Sequence, residues 1–216
     1  MAFQGWSEAA LEFYDGLEAD NSKSYWQANK ARYEQLVRAP MEALLTELAE
    51  EFGDGKIFRP NRDVRFSADK APYKTNIGAT LGAGGYVQLS ADGLAAARGM
   101  YVFAPDQLLR YRRAVADEHV GPDLSKIVDD ARAAGLTVTG HDQLKSAPRG
   151  YSKDHPRIEL LRLKGLVTWK EWPVEDWMCT PAAKTQIAEV LRASEPLQRW
   201  VDKHVGPSDA PDRFGR

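Results

Sequence analysis

The middle third of the chain alternates with a period of two, and this pattern constrains the fold more than any other feature of the sequence. In the first alternating stretch, Arg62, Val64 and Phe66 would face one side of a strand, and Asp63 and Arg65 the other. The stretches predicted to be extended are 62–66, 77–81, 86–90 and 94–103. The last two flank an Asp-Gly pair, which is a strong hairpin signal. The middle third is therefore predicted to form an antiparallel meander.

Helical periodicity dominates both ends of the chain. The clearest apolar stripe, at helical spacing, is Met41, Leu44, Leu45, Leu48 and Phe52. Candidate starts of helices are Ser7, Asn21, Pro40, Pro105, Pro122, Ile158, Thr180-Pro181 and Ser194. Since strands cluster centrally and helices at the ends, the sequence predicts an α+β fold, with a central antiparallel sheet and helices from the N- and C-terminal thirds packed on it.

Composition narrows the class of protein. Hydrophobic residues make up 43% of the 216 residues, which is enough for a core, and we expect one domain over 1–205 with a flexible tail at 206–216. With 29 basic against 31 acidic residues, the bulk charge gives no reason to expect nucleic acid as a partner. One cysteine, no secretory signal and no long apolar run predict a cytoplasmic protein with no membrane partner.

The densest chemistry lies in Asn61 to Gly78, NRDVRFSADKAPYKTNIG. Its candidate ligand-binding residues are Arg62, Asp63, Arg65, Asp69, Lys70, Tyr73 and Lys74. Arginine forks and lysine charges can hold a phosphate or a carboxylate, and an aspartate can orient an arginine or accept a proton. A tyrosine can add a hydroxyl or a stacking face. The same charges could equally neutralise one another in a structural network.

A second polar segment, Leu144 to His155, again combines basic side chains with hydrogen-bonding groups. Lys145 and Arg149 are basic, Gly150 permits close backbone approach, and His155 can exchange a proton near neutral pH. The competing interpretation of His155, which the sequence favours, is a capping or loop-structure role, since it lies between Asp154 and Pro156 at a predicted helix start. If both segments line one cleft, that cleft is basic.

Signatures of familiar cofactor sites are absent from the sequence. The four histidines show no metal-ligand spacing, so no metal site is predicted. The glycine-rich stretch at 82–85 lacks the Lys-Ser/Thr of a phosphate-binding P-loop. The sequence therefore assigns no cofactor.

The motif RDVRFSADKAPYKT closely resembles the signature of the family catalogued as domain of unknown function 2461. Asn21 to Trp26, Gly99-Met100-Tyr101 with Pro105 to Leu108, and Pro148 to Tyr151 extend the resemblance over nearly the whole chain. The resemblance implies an intracellular α+β protein. It assigns no activity, because the family has no established one. Family-typical positions that it carries over are Arg62, Asp63, Arg65, Phe66, Asp69, Lys70, Pro72, Tyr73, Lys74, Lys145, Gly150 and His155.

Three functional interpretations follow. The leading one is a basic cleft that binds, and can act on, a small phosphate- or carboxylate-bearing ligand. The second is an interaction module, and the third is a buried ion network that specifies the fold without catalysis. The sequence decides neither whether the chain is an enzyme nor its oligomeric state.

Overall fold

A computed structural model describes residues 2–65, 67–82 and 84–209. The α-helices are α1 (Glu8–Ala19), α2 (Lys23–Arg32), α3 (Ala39–Phe52), α4 (Pro105–Ala116), α5 (Val120–Ala133), α6 (Ile158–Arg162), α7 (Ala182–Ala193) and α8 (Glu195–His204). A π-helical turn (Tyr33–Arg38) joins α2 to α3, and a 3-10 helix spans Asp176–Cys179. The strands are β1 (Gly55–Ile57), β2 (Asn76–Leu81), β3 (Gly85–Ser90), β4 (Gly93–Met100), β5 (Thr137–Thr139) and β6 (Leu166–Pro173).

The predicted α+β class is confirmed. The strands form one sheet in the order β1-β2-β3-β4-β6-β5, with antiparallel pairing, and β1 to β4 follow one another as a meander. The predicted hairpin joins β3 to β4. Gly93 is required there because its φ is +131° and a Cβ would lie 2.2 Å from the carbonyl oxygen of Trp172.

By the density of internal contacts the chain divides into two compact units. Unit 1 comprises Met1–Ala96 and Glu171–Leu191, and unit 2 comprises Ala97–Lys170 and Arg192–Arg216. The single domain over 1–205 stays a prediction. Of the tail predicted at 206–216, residues 210–216 lie outside the described residues.

Unit 1 places its N-terminal helices against the sheet. Helix α3 contacts β1 and β2, and α1 contacts α2 and the π-helical turn. The buried side chains of the α3 stripe, predicted from the sequence, include Leu44 and Leu48. The backbone N–H of Trp6 donates to the carbonyl of Met178 at 2.9 Å, which secures the start of the described chain within the unit.

Pro40 lies in the first turn of α3, as the sequence predicted, although α2, the π-helical turn and α3 form one continuous helical run. A proline ring inside an α-helix clashes with the carbonyl four residues earlier and removes a hydrogen bond. The chain accommodates Pro40 by widening the preceding turn, where the N–H of Ala39 donates to the carbonyl of Glu34, five residues back.

Unit 2 encloses its own apolar core between helices and strands. Helix α5 contacts β5, α4 and α8. Tyr111 of α4 is fully buried, and its hydroxyl donates to the carbonyl of Leu160 at 2.8 Å. Phe103, Leu124 and Trp200 belong to the same buried cluster.

Candidate functional site

The charged motif forms a loop, and the strand predicted over 62–66 is wrong. The only extended pairing between described residues of this loop, which we call the charged loop (residues 61–74), is an isolated bridge between Asn61 and Tyr73. Asp63 and Arg65 are exposed and Val64 is only half-buried, so neither face is covered by a core. Alternation alone does not make a strand when no neighbouring strand is there to pair. Phe66 lies outside the described residues.

Two backbone hydrogen bonds close the neck of the charged loop. The N–H of Arg62 donates to the carbonyl of Pro72 at 2.9 Å, and the N–H of Lys74 donates to the carbonyl of Pro60 at 2.8 Å. Both prolines accept through their carbonyls. Because proline has no backbone N–H, neither position leaves a donor without a partner at the neck. The neck therefore holds Arg62 and Lys74 on facing sides of the loop base.

Asn21, which lies two residues before helix α2 begins, fixes the same neck. Its side-chain amide donates to the carbonyl of Tyr73 at 3.2 Å, and its side-chain oxygen accepts from the N–H of Tyr73 at 2.9 Å. The capping role predicted for Asn21 is wrong, since the N-cap is Ser22, whose hydroxyl accepts from the N–H of Tyr25. Asn21 is free for the loop because its neighbour satisfies the helix terminus.

The Tyr73 ring is a core residue of unit 1. It is 7% exposed and stacks on Trp26, with ring centroids 4.4 Å apart and an interplanar angle of 12°. Trp26 in turn packs against Tyr33 and Phe13. The loop neck is thus anchored by an aromatic cluster as well as by hydrogen bonds.

Most charges of the charged loop pair within the loop itself. Arg62 forms an ion pair with Asp69, and Arg65 forms one with Asp63 at 2.7 Å. Side-chain and backbone hydrogen bonds from Arg65 lower the pKa of Asp63 to about 2. The Lys70 ammonium donates to the carbonyl of Val64 at 3.0 Å. The Arg65 side chain is 76% exposed, so this network is a surface feature of the loop and not a buried one.

Lys74 differs from these groups. It is half-buried, and no carboxylate in the described ranges lies within ion-pair distance of its ammonium. Burial, followed by the nearby charge of Arg59, lowers the pKa of Lys74 below its ordinary value of 10.5. The Phe58 ring centroid lies 5.2 Å from the Lys74 Nζ. Such a contact attracts an ammonium by about 0.5–1 kcal/mol at exposed sites, less than a carboxylate would.

A cleft of about 390 Å³ opens beside the neck. Its lining residues are Glu18, Asn21, Arg62, Asp69, Ala71, Tyr73, Lys74, Thr75 and Asn76. We call it the Lys74 cleft. Four of the predicted residues, Arg62, Asp69, Tyr73 and Lys74, are brought together there, whereas Asp63, Arg65 and Lys70 are not among its lining.

The second predicted segment belongs to unit 2. Lys145 and Arg149 are exposed, and His155 closes a turn by accepting the N–H of Arg157 at its Nδ1, 3.0 Å away. Arg157 itself donates to the carbonyl of Val115 at 2.6 Å, at the end of α4. His155 does not cap α6, whose N-cap is Arg157, and its bond belongs to the turn that precedes the helix. That both segments line one cleft stays a prediction.

Sequence reasoning missed the residues that complete the Lys74 cleft. Glu18 belongs to α1, Asn21 lies in the connection between α1 and α2, and Asn76 begins β2. Phe58 and Arg59, which act on Lys74, precede the charged motif by only a few residues. Only Asn21 carried a signal, an asparagine beside a helix start, and that signal pointed to a cap.

Two other kinds of feature are absent from residues 2–65, 67–82 and 84–209. No group of three or more His, Cys, Asp or Glu side chains in these ranges is arranged to hold a metal ion. No helix among them is both long and apolar enough to cross a membrane.

Comparison with known proteins gives one match. A family model described as a conserved hypothetical protein, DUF2461, matches residues 9–200. No curated protein and no solved structure matches the chain. The match includes the charged loop, the Lys74 cleft and the second polar segment. The chain therefore belongs to the conserved hypothetical protein family DUF2461, the family that its charged motif resembles.

Proposed function

We propose that the protein binds a small anionic ligand, carrying a phosphate or a carboxylate, in the Lys74 cleft. The observation that carries the proposal is Lys74 itself, a half-buried ammonium that has no carboxylate partner among the described residues. Burying a charge without a partner is unfavourable, and proteins rarely retain such a group in a structural role. A bound anion would supply the missing counter-ion.

The charges of the cleft favour an anion over a cation. Asp69 is already engaged, since it accepts from the backbone N–H of Ala71 and pairs with Arg62. These two contacts lower the pKa of Asp69, the backbone bond being the larger cause. Glu18 is exposed and is not within ion-pair distance of Lys74. Among the described residues, Lys74 is therefore the cleft cation without an ion pair, and it is half-buried whereas the Glu18 carboxylate is exposed to water.

The cleft also offers hydrogen-bond donors around that charge. Thr75 and Asn76 follow Lys74 directly and line the same cleft, and both are half-buried. Arg62 keeps 30% of its side chain exposed beside its ion pair, so its fork can also reach a ligand. A volume of about 390 Å³ matches the lower range of small-molecule sites.

The alternative, an interaction module without catalysis, is favoured by a different observation. The ion pairs of Arg62 with Asp69 and of Arg65 with Asp63 lie on an exposed loop, where they shape a surface that a partner protein could recognise. On this reading, Lys74 would contact an acidic group of that partner.

Inorganic phosphate and oxalate are the probes that test the anion site. The readouts are the melting temperature and the fluorescence of Trp26, which stacks on the cleft residue Tyr73. We expect both anions to raise the melting temperature saturably, because a ligand that binds only the folded state stabilises it by mass action. A Trp26→Phe variant should keep the thermal shift and lose the fluorescence change.

The Lys74→Gln substitution removes the charge, and Lys70→Gln is its matched control. Lys70 lies on the same loop outside the cleft lining, where its ammonium contacts the Val64 carbonyl. We expect Lys70→Gln to bind the anions as wild type does and Lys74→Gln to lose at least ten-fold in affinity, about 1.4 kcal/mol. Equal affinity of the two variants would refute the proposed site.

A further inference from the structure

The sheet of unit 1 has one buried face and one more exposed face. Along β3, Val87 and Leu89 are buried, whereas Tyr86, Gln88 and Ser90 are half-buried. Successive side chains of a strand alternate between the faces of a sheet, so the half-buried set lies opposite the apolar core. An antiparallel sheet commonly exposes one face to water in this way. We call this face of β1 to β3 the outer face.

Two aromatic rings lie side by side on the outer face. The ring centroids of Tyr86 and of Phe58, which directly follows β1, are 6.3 Å apart. The Tyr86 ring reaches across Gly78 of β2, where an added Cβ would lie only 2.7 Å from the Tyr86 hydroxyl. Phe58 is 41% exposed, so its ring is open to a ligand. We call Phe58 and Tyr86 the aromatic platform.

Three cations lie close to the aromatic platform. The Lys74 Nζ is 5.2 Å from the Phe58 ring centroid, and Arg59 is the next residue after Phe58. Lys56 lies two strand positions before Phe58 and therefore shares its face. No carboxylate in the described ranges forms an ion pair with any of these three cations, and Asp54, directly before β1, offsets only one of their charges. The local charge is thus positive, although the formal net charge of the whole chain is −2.

A single-stranded nucleic acid matches this combination of rings and cations. Its bases stack on exposed aromatic rings whatever their sequence, and its phosphates are attracted by lysine and arginine. A face that inserts into a membrane would carry aliphatic side chains around the rings, but the polar Thr80 and Gln88 lie beside Tyr86. An acidic peptide would engage the cations and leave the rings unused.

We propose that the outer face is a docking surface for single-stranded nucleic acid. Bases stack on the aromatic platform, and the adjoining phosphates lie against Lys56 and Arg59. This inference goes beyond the proposed anion site, since neither ring of the platform and neither Lys56 nor Arg59 lines the Lys74 cleft. Variants at these positions test the docking surface while the cleft lining keeps its own side chains.

The role of the rings is tested with a labelled oligothymidine of about twelve nucleotides, within the site sizes of single-strand-binding folds. Its fluorescence anisotropy is measured with the full chain. Phe58→Leu keeps an apolar side chain without a ring, and Phe58→Tyr keeps the ring. We expect the leucine variant to bind roughly ten-fold more weakly and the tyrosine variant to bind as wild type does. Tyr101→Leu, which changes a 54% exposed ring of unit 2, is the control that should leave the affinity unchanged.

The role of the cations is tested by the salt dependence of the same affinity. Lys56→Gln and Arg59→Gln should each reduce the slope of log affinity against log salt concentration by about 0.7, the contribution of one phosphate contact on a single strand. Lys126→Gln, an exposed lysine of unit 2, should leave the slope unchanged. All of these side chains are on the surface, so thermal unfolding should show wild-type melting temperatures for every variant.

Several results would overturn the proposal. Equal affinities of Phe58→Leu and Phe58→Tyr would show that binding does not use the ring. Inorganic polyphosphate that displaces the oligothymidine at equal phosphate concentration would show that charge alone is recognised. Binding to phosphatidylserine vesicles or to polyglutamate, without binding to oligothymidine, would assign the surface to a membrane or to an acidic protein instead. Stabilisation by inorganic phosphate without oligothymidine binding would remove this docking surface and leave the anion site standing, and the reverse result would do the opposite.

Discussion

The clamp that Asn21 places on the loop neck gives the sharpest prediction for stability. An Asn21→Ala substitution removes two hydrogen bonds, of 2.9 and 3.2 Å, to the backbone of the buried residue Tyr73. Each contributes about 0.5–1.5 kcal/mol net, so we expect a loss of about 2 kcal/mol in the free energy of unfolding. For a chain of this length, that corresponds to a melting temperature lower by roughly 4–8 °C.

A control of the same residue type lies in the helix that follows Asn21. Asn29 donates its side-chain amide at 3.0 Å to the carbonyl of Tyr25, one turn earlier in α2. Asn29→Ala loses one local bond and gains helix propensity, so its effect on the melting temperature should be close to zero. The assay is thermal unfolding followed by circular dichroism. If Asn21→Ala melts together with Asn29→Ala, the loop neck does not depend on the clamp and the reasoning fails.

Further predictions concern charge and buried hydroxyl groups. Arg65→Ala should unfold in urea at the wild-type midpoint, because its side chain is 76% exposed; a large shift would restore the buried-network interpretation. The backbone N–H of Asp209 and the hydroxyl of Ser208 donate hydrogen bonds to Asp106, and these bonds lower the pKa of Asp106 to about 2. The stability it contributes is therefore present above its ordinary pKa of 3.8 and is lost as the pH falls towards 2, and Asp106→Asn should flatten the acid limb of a melting series over that window. The Tyr14 hydroxyl is buried and has no hydrogen-bond partner among the described residues, so Tyr14→Phe should raise the free energy of unfolding by about 1 kcal/mol. Tyr111→Phe loses a buried hydrogen bond and should change urea stability in the opposite direction, so effects of the same sign would contradict this argument.

The architecture of the sheet and helices could be predicted because local signals and tertiary packing agree. Ala91 and Asp92 form the turn between β3 and β4, and Gly93 begins β4 at a position where only glycine fits the backbone and the nearby carbonyl. The α3 stripe is buried as its helical spacing indicates. Such features depend on side-chain periodicity and backbone conformation, which neighbouring residues largely determine.

The candidate site could be predicted only in part. The motif identified Arg62, Asp69, Tyr73 and Lys74, and the Lys74 cleft contains all four. The sequence nevertheless predicted that Arg62 lies in a strand and that the other three lie in the loop after it. The strand was wrongly predicted because the alternation of charged and apolar residues looks the same with or without a partner strand. Pairing is a long-range property, and the sequence of one strand does not report it.

What the sequence determined by itself is the α+β class, the hairpin, the helices at both ends and the family to which the chain belongs. Only the tertiary structure decided that Asn21 clamps a loop 52 residues away and that Arg65 pairs on the surface. It also decided that Lys74, chemically identical to every other lysine in the chain, is half-buried with no carboxylate beside it among the described residues. The physical reason is that desolvation and the distance between charges are set by packing between remote segments, and these quantities decide whether a charged side chain is paired or left without a counter-ion.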